Sequence, residues 1–397
     1  MRVVISAYAC EPGNTSERGL GWLWASAASR HHEIHLVTRR KFEPTIARAL
    51  SADATLRITP IYVEPPRWLT WWKRGERGLY PFYLIWQVVA WRTISRLHRD
   101  KRFDVGHHIT FALDWLPAGV AFVPELPVVW GPVGPGVTLP PLRLGRVLGA
   151  RWVVAEIVRA VGTASLRQVF GRATAQRSAV VVGNNREVGE QYSRHPGFVL
   201  EQHAVVDPPL TTVVARSPSE KRHAICVGRL VTWKGLDLAI EAIARSPGWT
   251  LSIYGTGPAE KGLRRRVARL GLDQTVRFHG SVPHLQILDA MTQADLLVFP
   301  SVRDSAPGTV AEAVTLGLPV LCLDIGGPAA MVGPGEGIRI PANSNVVAAM
   351  VECLDNPPLR HRGSSRWSSE RLGPLIDDWY NAAVLMQHSS QRGIRGR

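Results

Sequence analysis

The sequence predicts two α/β domains, each a parallel sheet covered by helices, facing each other across a cleft. Three observations carry this. Short β-branched, apolar runs alternate with longer amphipathic stretches, the alternation occurs twice, and a proline-containing break separates the two occurrences. At 397 residues the chain exceeds one ordinary core and suits two or three domains.

The first half offers strand-like runs at 2–8, 33–38, 56–63, 105–110, 127–130 and 179–182. The first of these reads as a buried strand. It is too short for the apolar core of a signal peptide and ends at Cys10-Glu11-Pro12. The second half offers runs at 224–227, 251–254, 276–278, 295–299 and 319–323, with stretches such as 236–244 showing apolar residues at helical spacing. The break at 205–219 holds Pro208, Pro209 and Pro218, which places the linker there. Residues 1–205 are then the first domain and 206–371 the second. Residues 372–397 are a C-terminal helix, strongest over 372–386 and expected to pack back on the first domain, followed by a basic tail. Ligands of open parallel sheets sit beyond the carboxyl ends of the strands, so two such sheets facing each other make a deep cleft.

Composition narrows the class. Hydrophobic residues make up 45% and charged residues 20%, which suits a globular chain. A membrane span needs about 20 apolar residues, and the best stretch, 80–91, is shorter and contains Gln87. Cys10, Cys226, Cys322 and Cys353 have no metal spacing, and three of them sit in or beside apolar runs. A cytoplasmic location is expected. The net charge of +15 is uneven: residues 1–200 hold 26 Lys and Arg against 14 Asp and Glu. Such a half suits nucleic acid, an anionic membrane or an anionic substrate. Residues 66–102 hold five of the 14 tryptophans and nine Lys or Arg against two acidic residues. Rings and cations together fit an anionic membrane surface, with the protein peripheral on the inner face of the plasma membrane. An amphipathic helix packing its rings inward is the alternative. No nucleic-acid-binding motif is present, so nucleic acid is not expected as a partner.

The chemistry concentrates in the second half. Gly228-Arg229-Leu230 follows a strand and Lys234-Gly235 opens the next helix, so two cations flank a strand-to-helix turn. Backbone N–H groups and cations at such a turn make a phosphate cradle; the alternative is a solvated turn. Asp304 follows Phe299-Pro300-Ser301 in a loop, and Glu312 lies in the first turn of the next helix. Thr309-x-x-Glu312 is also a capping-box pattern, which would give Glu312 a purely structural role. The two carboxylates share one loop-to-helix element, whereas a hydrolase pair flanks its bond from opposite sides.

Gly228-Arg229-Leu230…Lys234-Gly235, Phe278-His279-Gly280-Ser281-Val282, Ala294-Asp295…Phe299-Pro300-Ser301, Asp304-x7-Glu312-Ala313…Gly317-Leu318-Pro319-Val320…Gly326-Gly327 together resemble the retaining GT-B glycosyltransferases of the GT4 family, group 1 glycosyl transferases, in their usual order. Ser6-Ala7-Tyr8…Glu11-Pro12-Gly13…Ser16-Glu17…Gly19-Leu20-Gly21-Trp22 looks like that family's phosphate-side loop. Trp130-Gly131-Pro132-Val133-Gly134-Pro135-Gly136 looks like a branch involved in bacterial surface polysaccharides.

The resemblance implies two Rossmann-like domains, the first binding acceptor and the second the nucleotide sugar. Arg229 and Lys234 would grip the donor diphosphate beside Gly228, and Glu312 would bind the ribose. Asp304, where the family usually has Glu, would bind the donor sugar, with the backbone of Ala306, Pro307, Gly308 and Thr309 along sugar and phosphate. Val282 would touch the base, and Gly21 would let the N-terminal loop approach the phosphates. His108 of the His107-His108 pair would lie near the sugar. The implied reaction is sugar transfer from a UDP-, GDP- or ADP-sugar to a saccharide or lipid-linked acceptor. It would retain the anomeric configuration by front-face attack and use no cofactor. No DxD motif is present, so metal independence is expected. Asp for Glu at 304 and the altered Ser305-Ala306-Pro307 also leave open a catalytically silent sugar-nucleotide-binding homologue that scaffolds polysaccharide assembly.

Overall fold

The computed structural model describes the whole chain except residues 15–16, 76, 135–143, 208–221 and 396–397. Ser16, Pro135, Gly136 and most of the expected linker therefore lie outside the described residues.

The strands are β1 (Arg2–Ala7), β2 (Glu33–Thr38), β3 (Ile58–Tyr62), β4 (Val105–Thr110), β5 (Val128–Val133), β6 (Val180–Gly183), β7 (Phe198–Leu200), β8 (Arg222–Val227), β9 (Trp249–Tyr254), β10 (Val276–Gly280), β11 (Leu296–Phe299), β12 (Val320–Leu323) and β13 (Gly337–Ile340). The first seven form one parallel sheet in the order β3-β2-β1-β4-β5-β6-β7. The other six form a second in the order β10-β9-β8-β11-β12-β13. This is the GT-B arrangement of two Rossmann-like sheets.

The helices of the first half are α1 (Glu17–Ser29), α2 (Glu43–Ala52), α3 (Leu79–Lys101), α4 (Gly145–Leu148), α5 (Ala150–Leu166), α6 (Arg172–Arg177) and α7 (Arg186–Tyr192). Those of the second half are α8 (Leu236–Ala244), α9 (Glu260–Arg269), α10 (His284–Gln293), α11 (Gly308–Thr315), α12 (Gly326–Met331) and α13 (Val346–Asp355). A last helix, α14 (Leu372–Arg395), returns to the first sheet.

Helices on both faces explain why the central strands are buried throughout rather than on alternate residues: all six residues of β4 are buried. The two imidazoles of β4 point to opposite faces, as neighbouring strand residues must. On one face α14 stacks Trp379 on Trp24 of α1 with centroids 5.4 Å apart, and the Tyr380 hydroxyl lies 2.9 Å from Nδ1 of His107. On the other face α3 brings the Tyr83 hydroxyl to 3.1 Å from Nε2 of His108. All four cysteines are free and buried, and burial pushes the Cys353 thiol up to about 11.

The two halves touch directly. Leu144, Leu148 and Trp152 of the α4–α5 region pack into the apolar core around α8. Arg303, just before Asp304, donates to Glu156 of α5 at 2.7 Å while lying 4.3 Å over the Trp233 ring. The Gly326 N–H donates to Glu187 of α7 at 2.7 Å.

Candidate active site

In each sheet the strand order reverses once, between β1 and β4 and between β8 and β11. Ligands bind at such switch points, beyond the carboxyl ends of the strands. The expected residues fall there: Gly228 and Arg229 directly follow β8, and Asp304 lies on the loop leaving β11. A cleft of about 620 Å³ runs between the halves, lined by Gly13, Asn14, Gly19 and Leu20 on one side and by His284, Asp304, Ala306 and Glu312 on the other. A larger cavity of about 1100 Å³ lies elsewhere, against Arg172, Arg194 and Met386, and touches none of the expected residues. Position at the switch point favours the smaller one.

Lys234 reaches the cleft through a glycine turn. Gly235 has φ 68°, and a Cβ there would come within 2.2 Å of the Pro300 carbonyl oxygen. Only glycine lets the β8–α8 turn press so close to the exit of β11. Lys234 Nζ then donates to Asp304 Oδ2 at 2.7 Å and lies 4.7 Å from the Phe299 ring centre. Arg229 is exposed and lines a small recess with Gly228, Lys234 and Phe299. Two cations thus share this recess, and the lysine is tied to Asp304, which lines the cleft.

The Asp304 loop is fixed from behind. Gly327 N–H donates to the Asp304 carbonyl oxygen at 2.7 Å, and a Cβ on Gly327 would lie 1.8 Å from the Ser305 carbonyl oxygen. Hence the Gly326-Gly327 pair of the sequence pattern. Gly327→Ala is expected to destabilise the protein by about 1–3 kcal/mol, the cost of overpacking, and to displace Asp304. Urea unfolding checks this; an unchanged midpoint would mean that the loop is not held in this way.

Glu312 does not complete a capping box. The N-cap of α11 is Pro307, not Thr309, and it makes no side-chain cap bond. Glu312 instead accepts from His284 Nε2 at 2.8 Å, with its side chain only 15% exposed. This bond, foremost, raises the His284 pKa above its ordinary value. His284 was not anticipated; its partner lies 28 residues away in sequence. Ala306, Pro307 and Gly308 line the cleft, Thr309 is the second residue of α11, and half-buried Val282 precedes His284 by two positions.

Two expected residues are placed differently. His108, expected at the cleft edge near the sugar, is 1% exposed, and burial lowers its pKa to about 3. It is a neutral ring inside the first domain. His107 is equally enclosed: its Nε2 donates to the Gly131 carbonyl at 2.9 Å, so Nδ1 accepts from Tyr380. Gly21 lies on α1, where a Cβ would meet the Ala9 carbonyl oxygen at 2.2 Å. Its lack of a side chain serves helix-to-strand packing, and the glycine of this segment that lines the cleft on α1 is Gly19.

Residues 212–366, which hold β8 to β13, match the family described as glycosyl transferases group 1. The match lies wholly in the second half and covers less than half of the chain. Over 166 residues the chain is 34% identical to the teichuronic acid biosynthesis glycosyltransferase TuaC of Bacillus subtilis, covering 41% of this chain and 38% of that protein. It spans 41% or less of two further curated relatives from Streptomyces. In fold, the whole chain resembles the lipopolysaccharide outer core galactosyltransferase WaaB, with a TM-score of 0.60 and 12% identity over 100% of both chains. It also resembles Anabaena HepE in complex with UDP, with a TM-score of 0.53, 13% identity and 100% coverage of both chains. Lys234, Asp304 and Glu312 all lie within the matched residues, and α1 with loops of the first half supplies the opposite wall of the cleft.

Proposed function

We propose that the protein is a retaining glycosyltransferase of the GT4 family that moves a sugar from a nucleotide-sugar donor to a saccharide or lipid-linked acceptor in polysaccharide or glycoconjugate biosynthesis. The observation that carries this reading is the convergence of Arg229, Lys234, Asp304 and Glu312 on the switch point of the half that matches the group 1 family, across a cleft from a second parallel sheet. Arg229 and Lys234 face the donor diphosphate, where their charge offsets the negative charge that develops as the leaving group departs. Asp304 accepts from hydroxyls of the donor sugar, and Glu312 accepts from those of the ribose. The amides of the first turn of α11 lie along the phosphates. The leaving phosphate itself takes the acceptor's proton, so no protein base is assigned, and the first domain holds the acceptor.

UDP is the first donor base to try, because a relative in fold is a UDP complex. A thermal-shift screen against UDP, GDP and ADP sugars tests the reading; a ligand at 100 times its Kd stabilises by about 2.7 kcal/mol. Failure of every sugar nucleotide to shift the melting point would overturn it. The silent-scaffold alternative predicts such a shift without transfer or donor hydrolysis.

The reaction is expected to run at full rate in excess EDTA, since the two cations do the work a divalent ion would do. Activity lost on chelation and restored by Mn²⁺ or Mg²⁺ would reverse this. In the basic segment, Trp68 and Trp71 are exposed whereas Trp86 is fully buried. The exposed pair supports contact of the 66–102 stretch with an anionic membrane surface.

A further inference from the structure

Helix α5 exposes an apolar side that no described element covers. Val154, Val158 and Val161 are 61%, 67% and 62% exposed, and Ile157 and Leu166 are each 38% exposed. The spacing of Val154, Ile157, Val158 and Val161 is that of one helical face. After α5 a turn of π-helix, Arg167–Gly171, continues the run and carries Val169, 61% exposed. A soluble helix normally turns charges outward; this one does the reverse. Between Arg151 and Arg167 the only charged residues are Glu156 and Arg159. Glu156 is 5% exposed, and it binds both Arg159 and, from the other half, Arg303, each at 2.7 Å. Both charged side chains of the helix are thus drawn into contacts within the protein, leaving the outer face bare.

A second exposed apolar group lies in the first turn of α3 and the segment before it. The Tyr80 ring, in the first turn of α3, packs edge-on to Trp115 at 4.8 Å, and the neighbouring Asp114 binds Arg167 at the end of α5 at 2.5 Å. Trp72, just before α3, packs over Gly78, and Trp68, Leu69 and Trp71 stand out from the same segment. Exposed arginines rim both groups: Arg67, Arg74 and Arg77 on one, Arg151 and Arg172 on the other.

We infer that the outer face of α5, together with Trp68 and Trp71, seats the protein on an anionic phospholipid bilayer. An uncharged helical face with cations at its margins lies in the interface plane, apolar side toward the acyl chains and guanidinium groups at the headgroups. Charge decides between this occupant and a second copy of the chain. The net charge is +15 with its excess in this half, so two such faces repel each other while an anionic leaflet attracts either one. The beginning of α5 is anchored in the second core through Trp152, so the helix stands where both halves meet. The surface extends beyond the 66–102 segment, and α5 contributes most of its apolar residues. The inference is independent of sugar transfer.

Flotation of the full chain with phosphatidylcholine vesicles, with and without phosphatidylglycerol, tests it. Wild type is expected to float with the anionic vesicles and to release as salt rises, since attraction is screened over about 10 Å at 0.1 M salt. Val158→Glu/Val161→Glu should lower vesicle partitioning by about tenfold or more, because two carboxylates then face the leaflet. Trp68→Ala/Trp71→Ala should lower it as well. Both sites are exposed, so melting temperature should hold. Should the Glu variant melt early, Val158→Ser/Val161→Ser repeats the comparison. Nucleoside diphosphate binding on the same samples reads the cleft alone, which separates failure here from failure of the transfer reading. Equal partitioning of variant and wild type, or no binding to either vesicle, overturns the inference. A wild-type dimer in light scattering that the Glu variant dissociates would overturn it in favour of a second copy.

Discussion

Lys234→Ala is expected to lower sugar transfer at least about tenfold, because a charge-assisted contact contributes roughly 1.5–3 kcal/mol. Arg229→Ala should act in the same direction. The two variants should nevertheless differ. Lys234 is bonded within the protein, to Asp304 at 2.7 Å, with both side chains largely shielded from water. Removing it leaves the Asp304 carboxylate facing the cleft without its cation, next to where a diphosphate would lie. Donor binding then suffers twice, through a lost attraction and a new repulsion. Arg229 is exposed, so its loss removes attraction alone and should leave the melting temperature unchanged. Calorimetry with a nucleoside diphosphate, beside a transfer assay, checks both variants. Wild-type rates in both, with folding intact, would remove the diphosphate from this edge of the cleft.

Much of this was legible in the sequence, and the gaps have physical causes. All eleven runs read as strands are strands, because a sheet covered on both faces demands continuous apolar segments. The two that escaped, β7 and β13, are the outermost strands of their sheets. They span three and four residues and are half exposed: β7 is too short an apolar run to stand out, and β13 is broken by Arg339. Strand β5 extends to Val133 through Gly131 and Pro132, residues that locally read as a turn. Lys234, Asp304 and Glu312 can be singled out in the sequence because they follow strand ends at fixed spacing; that Lys234 meets Asp304 is a finding of the structure. His284 and Arg303 were not, because their bonds join distant segments and no local pattern marks them. The capping-box alternative failed by two residues: α11 begins at Gly308, which puts Thr309 inside the helix. His108 failed for a different reason. Its strand is covered on both sides, so neither of two consecutive histidines faces the cleft. Helix α5 was missed because an apolar helical period looks the same whether it packs on a core or faces outward.

Asp304→Asn and Glu312→Gln should divide sugar recognition from nucleotide recognition. Asparagine keeps the size of Asp304 but accepts a weaker, neutral hydrogen bond from a sugar hydroxyl. It also releases Lys234 from its ion pair, which frees that charge for phosphate. Free nucleoside diphosphate should therefore bind Asp304→Asn at least as well as wild type, while turnover of the sugar nucleotide falls by about tenfold or more. Glu312→Gln should weaken free nucleotide and donor alike, through the ribose. His284 supplies an independent readout. Its pKa is raised in the wild type by the bond to Glu312, so the ion pair is complete below the ordinary histidine value and is lost as pH rises through the raised one. Gln at 312 removes the negative charge, and the His284 titration followed by NMR should move down toward its ordinary value. Nucleotide binding to the wild type should then restrain His284 further if ribose and imidazole share the Glu312 carboxylate, or leave its titration untouched if they do not. A fall in the His284 pKa with unchanged nucleotide affinity in Glu312→Gln would make Glu312 a partner of His284 alone. Wild-type binding and turnover in both variants would place the active site elsewhere.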